Sequence, residues 1–144
     1  MTCVTGAEIE AEARRWLGTP FHHQGRLLGV GVDCVGLVVM VARALRMRPD
    51  FQDRGDYSRI PNKELELLLD EQLTRIRDKS QRRVGDVIVF AWGRELQHLG
   101  IWTAAGTVIH SYGINGRGKV VETHLTGPHA DRQRRVYRFP EACD

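Results

Sequence analysis

Gly31-Val32-Asp33-Cys34-Val35-Gly36-Leu37 is the stretch that decides the fold: a loop ends in an acid and a cysteine, and a strongly apolar segment begins. From Cys34 the apolar positions Leu37, Val38, Val41, Ala42 and Leu45 recur at i+3, i+4, i+7, i+8 and i+11, the spacing of one helical face. Cys34 therefore falls in the first turn of a helix. Asp33 is a natural N-cap, and the positive helix end with its unpaired amides favours a thiolate, which predicts a thiol that ionises near neutral pH. The competing reading of a lone cysteine is a small buried hydrophobe. The rest of the chain weighs between the two.

Working outward, 144 residues suffice for one core and are few for two, so a single domain over 1–144 is expected. No apolar run is long enough to span a bilayer, which excludes a membrane helix. Residues 1–12 carry acids and no basic-then-apolar signal pattern, so the chain is expected to be made and kept in the cytoplasm unless something else carries it out. Cys3, Cys34 and Cys143 make an odd count without framework spacing. Cys3 and Cys143 could meet, but reduced surface thiols are the expectation. The net charge of +3 is mild, and basic clusters such as Arg82-Arg83 and Arg132-Gln133-Arg134-Arg135 are interrupted by acids. They read as a solvated face, with attraction to a polyanion as the sharper alternative; no nucleic-acid partner is expected.

Thr5-Gly6-Ala7-Glu8 has capping-box spacing, and Ile9, Ala13, Trp16 and Leu17 continue a helical face to a stop at Gly18. Thr19-Pro20 breaks the helix. Residues 19–32 then deliver Phe21, His22, His23 and Gln24 in a glycine-containing loop that should wall a site at Cys34. The Cys34 helix should end near Arg46, before a polar stretch that lasts to Pro61. Asn62 can cap a third helix whose apolar face is Leu65, Leu68, Leu69, Leu73 and Ile76. From Val84 the texture becomes β-rich: Val87–Phe90, Leu99–Trp102, Thr107–His110, Val120–Thr123 and Val136–Phe139 alternate with glycines. Helices followed by strands describe an α+β domain with an antiparallel meander.

Of six histidines, His98 and His110 fall in expected strands joined by a glycine-containing turn, so they can sit side by side on one face. If that face meets the N-terminus of the Cys34 helix, a thiol, a base and a base-orienting group converge, as nucleophilic acyl transfer requires. Strand histidines are often merely half-buried polar residues, and one Cys with two His could also ligate zinc with an open fourth position. Neither C-x-x-C nor H-E-x-x-H supports zinc, so no metal and no other cofactor is expected. His124 and His129 read as surface residues.

Five segments in order resemble the NlpC-type family of papain-like cell-wall peptidases. Gly18-Thr19-Pro20-Phe21 is similar to the family's loop before the nucleophile, and Asp33-Cys34-Val35-Gly36-Leu37-Val38 to its nucleophile motif. Gly85-Asp86-Val87-Ile88-Val89-Phe90, His98-Leu99-Gly100-Ile101-Trp102 and Val108-Ile109-His110 resemble its three following strands. The resemblance covers roughly residues 7–112 and implies a papain-like cysteine peptidase fold, with the nucleophile helix packed on an antiparallel sheet. It implies Cys34 as nucleophile, His98 as general base and His110 as its orienting residue. The reaction it implies is hydrolysis of amides in peptidoglycan stem peptides.

Pro20-Phe21-His22-His23-Gln24 followed by Gly29-Val30-Gly31-Val32-Asp33-Cys34 is closer still to the phage tail-associated branch. That branch implies a virion location and tail-tip proteins as partners. Val35 replaces the motif's usual Ser, Leu99 replaces Val, and Phe21 stands where many members have Tyr, whose hydroxyl is thought to serve the oxyanion. Asp33, Phe21, His22, His23 and Gln24 are the candidate oxyanion and substrate-binding residues. The Cys34 N–H supplies one donor, and His23 is favoured for the second because it returns to the side of Phe21 in an extended loop while His22 points away. The rival reading is a structural tail-tip protein that keeps the fold without the activity, and a third is an acyltransferase or amidase acting on another small acyl substrate.

Overall fold

The computed structural model describes residues 3–47, 63–114 and 117–143. It begins with β1 (Val4–Thr5) and α1 (Gly6–Arg15). The capping box forms as the spacing predicts: the Glu8 N–H donates to Thr5 Oγ1 at 3.1 Å and the Thr5 N–H to Glu8 Oε2 at 2.8 Å. The helix ends at Arg15, short of the expected Leu17. Trp16 and Leu17 bond back three residues to Ala13 and Arg14, tightening the last turn out of α geometry. The glycine loop contains a small hairpin, β2 (Arg26–Leu27) and β3 (Gly31–Val32), and leads into α2 (Cys34–Ala44) with Asp33 as N-cap.

The polar stretch expected after the second helix and the Asn62 cap lie outside the described residues. The third helix, α3 (Glu64–Gln72), is shorter than the apolar spacing suggests, because the backbone turns extended at Leu73. Ile76, read as the end of that helical face, belongs instead to β4 (Thr74–Ile76). β5 (Val87–Ala91), β6 (Leu96–Trp102), β7 (Thr107–Ile114) and β8 (Arg117–His124) form the expected meander. A short helix, α4 (Gly127–Arg132), which the sequence reading did not anticipate, then returns the chain as β9 (Gln133–Arg138). The six-stranded sheet runs β4-β9-β5-β6-β7-β8, all antiparallel. The fold is the α+β arrangement expected, with the Cys34 helix laid on an antiparallel sheet.

Alternation along the strands splits the core. Val87, Val89, Leu99, Ile101 and Ile109 face the helices and pack with Ile9, Ala13, Leu37, Val38 and Val41. Ile88, Phe90, Val108 and Val136 face the other way, with Ile76, Trp102 and Leu125 against them. Each fully buried aliphatic side chain contributes about 2 kcal/mol by leaving water, so this face is what seats α2.

The terminal cysteines are not the reduced thiols expected. Cys3 and Cys143 form a disulfide, with Cα atoms 5.5 Å apart across a sequence separation of 140. The cause is non-local: β1 pairs in parallel with β10 (Ala142–Cys143), Val4 opposite Ala142 and Thr5 opposite Cys143, which brings the two ends together. Cysteine spacing carries no trace of such a pairing. Among the described residues no helix is long and apolar enough to cross a membrane.

Candidate active site

Asp33 organises the approach to Cys34. Its carboxylate, on a residue 3% exposed, accepts the Gly36 N–H at 2.8 Å as the helix cap, the Gln24 N–H at 2.7 Å and Arg26 Nη1 at 3.1 Å. One buried acid thus ties the helix terminus to the loop before it. The Gly of the Cys-x-Gly motif has a steric reason: a Cβ at Gly36 would lie 2.5 Å from the Gly25 carbonyl oxygen and 2.6 Å from Arg26 Nη1. Gln24 adopts φ +61 to present its amide to Asp33. His22 is exposed, its Nδ1 donating to the His23 carbonyl at 3.0 Å. His23 is half-buried, with Nδ1 4.0 Å from Asp33 Oδ2. His23 is thus more buried than His22, and its Nδ1 is directed at Asp33. Phe21 hydrogen-bonds through its backbone to Gly118, and its ring lies over Gly113 of β7.

Cys34 meets the sheet at the backbone of β6. Thr103 donates its N–H to Thr107 and Trp102 donates to Asp86, so odd-numbered residues of β6 direct their amides toward β7. Pairing between β6 and β7 consists of Ile101 with Ile109 and Trp102 with Val108. The next amide on that side, Leu99 N–H, is directed at the Cys34 sulfur instead, together with the N–H groups of Val35 and Cys34. The amide facing Cys34 thus belongs to the residue that follows His98. Gly100 permits the close approach of β7 here, because a Cβ would collide with Val108 and lie 2.8 Å from His110 Cβ.

His98, 7% exposed, and His110, 1% exposed, share the far face of the sheet, as the hairpin spacing predicts. His98 Nε2 is 2.6 Å from His110 Nδ1, and His110 Nε2 is 2.9 Å from Thr123 Oγ1. One tautomer set satisfies this chain with His98 Nδ1 as an acceptor: Nε2–H of His98 donates to His110 Nδ1, and Nε2–H of His110 donates to Thr123.

The expected low thiol pKa is overturned. Burial pushes Cys34 up to about 12, and the Asp33 carboxylate adds to it, outweighing the Leu99, Val35 and Cys34 amides that favour the thiolate. Burial likewise holds His98 well below the ordinary imidazole value, with smaller contributions from His110 and His129, and lowers His110 to about 4. Burial thus favours the neutral forms of the Cys34 thiol and of both imidazoles.

Two site residues escaped the sequence reading. Thr123 ends the relay on β8, and only the register that pairs Val108 with Thr123 brings it to the face of His110. His129 is half-buried rather than a surface residue: its ring stands 5.8 Å from that of His110, 6.0 Å from Tyr112 and 6.4 Å from Phe90. His124, exposed at the end of β8, fits the surface reading. Among the described residues no group of three His, Cys, Asp or Glu stands where it could hold a metal ion.

A model of the NlpC/P60 family matches residues 18–136. The chain belongs to the NlpC/P60 family. Solved structures agree on the fold. The NlpC/p60 domain of the peptidoglycan hydrolase SagA is 23% identical with a TM-score of 0.68, covering 94% of this chain and 99% of that one. An NlpC/P60 family protein from Bacillus cereus has a TM-score of 0.72 at 18% identity, over 95% of this chain but 41% of its own. RipD from Mycobacterium tuberculosis, described as a non-catalytic NlpC/p60 domain protein adapted to peptidoglycan binding, has a TM-score of 0.61 at 14% identity, over 92% of this chain and 95% of its own. No curated protein matches. In this NlpC/P60 domain His98 and His110 are brought together, the amide of the adjacent Leu99 faces Cys34, and Asp33 caps the Cys34 helix and ties it to the Gln24 amide and Arg26.

Proposed function

We propose that this NlpC/P60 domain is a cysteine peptidase that hydrolyses amide bonds in peptidoglycan stem peptides, acting from a phage tail during penetration of the host cell wall. The observation that carries the peptidase reading is the relay Thr123–His110–His98, whose last member adjoins Leu99, the residue whose backbone N–H faces Cys34 at the N-terminus of α2. With substrate bound, the thiol proton passes to His98 Nδ1. The sulfur attacks the amide carbonyl, whose developing charge meets the Cys34 backbone N–H. The imidazolium of His98 then protonates the leaving amine, and water activated by the same ring releases the acid. His110 fixes the tautomer and orientation of His98, with Thr123 behind it. Phe21 supplies no hydroxyl, so a second oxyanion donor falls to His23 or Gln24, each preorganised donor being worth about a hundredfold to a thousandfold in rate.

The phage reading rests on the likeness of Pro20–Gln24 and Gly29–Cys34 to the tail-associated branch. The Cys3–Cys143 disulfide is in keeping with action outside the reducing cytoplasm, on a virion or at a cell surface. Its partners there would be wall peptides and neighbouring tail-tip proteins. One observation favours a second reading, a wall-binding or structural tail-tip domain: the thiol is held neutral at about 12 beside a loop that lacks the Tyr hydroxyl. Incubation with purified wall peptides, with products read by mass, separates the two. New termini at one amide of the stem support the peptidase; retention of intact peptides without cleavage supports the binding domain.

A further inference from the structure

The peptidase reading uses two histidines of the far sheet face, yet a third stands over them. His129 lies on α4, a helix packed against β5, and its ring meets His110 edge-on at 88° and Phe90 edge-on at 88°. Tyr112 completes the contact from β7, 5.5 Å from the His110 ring and 5.6 Å from that of His98. His110 is thereby held from three sides: His98 through Nδ1, Thr123 through Nε2, and the His129 and Tyr112 rings against its plane. We propose that His129 is a positioning residue of this site, holding His110 in register with His98 and, when it carries a proton, opposing a proton on the pair.

The charged and titratable surroundings leave His129 this role. β6 contributes His98, β7 contributes His110 and Tyr112, and β5 with its turn contributes the uncharged Phe90 and Trp92. β8 presents the hydroxyl of Thr123, and β9 presents Gln133, which Arg82 approaches at 3.4 Å while its guanidinium lies over Trp102. Asp131 and Arg132 on the same helix are exposed. A charge on His129 thus acts chiefly on the two neighbouring imidazoles, and it disfavours protonation of both. The relay works only while His98 Nδ1 is free to accept, so a neighbour that repels a proton from the pair extends activity toward lower pH.

The inference rests on the peptidase reading for its consequence, but its test does not. Ring titrations of His98 and His110 by NMR need no turnover and are compared in wild type, His129→Phe and His129→Ala. His129→Phe keeps an aromatic ring on Phe90 and removes the charge. It should raise the His110 midpoint from about 4 by about half a unit or more, the water limit for two charges roughly 6 Å apart. His129→Ala should raise it as far and lower kcat several-fold beyond His129→Phe, because the packing is lost as well. The acid limb of kcat/KM should move up by the same interval with KM unchanged. Midpoints within about 0.2 unit of wild type in a variant with unaltered thermal unfolding would overturn the proposal. If wild type hydrolyses no wall peptide while His129→Phe still moves the midpoints, the peptidase reading fails and the coupling of the three rings stands.

Discussion

Asp33→Asn separates the two things this acid does, because it should make the protein less stable and the Cys34 thiol more acidic at once. The carboxylate accepts from Gly36 and Gln24 amides and from Arg26, all within 3.1 Å. Asparagine offers one acceptor oxygen and one NH2. Whichever way the amide turns, an N–H of the protein faces an N–H of the side chain in a buried position, and Arg26 loses its counter-charge. Losing a hydrogen bond to a charged group costs about 1.5–3 kcal/mol, and the orphaned donor adds to this. We expect about 3 kcal/mol in urea unfolding and a Tm lower by roughly 10 °C for a chain of this size. Asparagine remains a good N-cap, so the loss reports the loop attachment and not the helix start. In the same variant the Coulomb contribution that raises Cys34 disappears. Iodoacetamide alkylation of Cys34 at pH 8 should accelerate about tenfold for a fall of one unit. A stability loss under about 1 kcal/mol, or an unchanged alkylation rate, would refute the assignment of Asp33 as both tie and brake.

Thr123→Val leaves the buried Nε2–H of His110 without its acceptor; kcat should fall about tenfold with KM little changed, and Thr123→Ser should restore it. Reducing the Cys3–Cys143 disulfide releases a closure over 140 residues and should cost about 2–4 kcal/mol in equilibrium unfolding, as should Cys3→Ser/Cys143→Ser without reductant. Stability should also depend on acid: His110 is held near 4 when folded, so below about 6.5 the unfolded chain binds the extra proton and stability falls as pH drops toward 4. For His110 that loss is about 3 kcal/mol, compared by urea unfolding at pH 7 and pH 4, and His110→Gln should flatten the dependence.

What the sequence made legible is what local pattern encodes. The apolar face after Cys34, the Asp33 cap, the capping box at Thr5 and the β-rich segments after residue 84 each rest on spacings within a turn or a strand. The proximity of His98 and His110 was readable because one tight turn joins their strands. The rest depends on contacts between distant segments. Thr123 enters through the register of β8 on β7, and α4 carries His129 over the pair only because β9 returns beside β5. The disulfide follows from a parallel pairing of the two chain ends. The thiol pKa departs from expectation for a related reason: the helix end and its amides are local, whereas the burial that outweighs them arises only in the folded chain.

The central claim is that Cys34 and His98 act as one nucleophilic unit with His110 in support. Turnover of a purified stem peptide by wild type, Cys34→Ala, His98→Ala and the double variant tests it most directly. The account predicts that either single substitution abolishes cleavage and that the double variant is no worse than either, while His110→Ala retains measurable activity. Cleavage that survives Cys34→Ala or His98→Ala, or losses that multiply in the double variant, would contradict it.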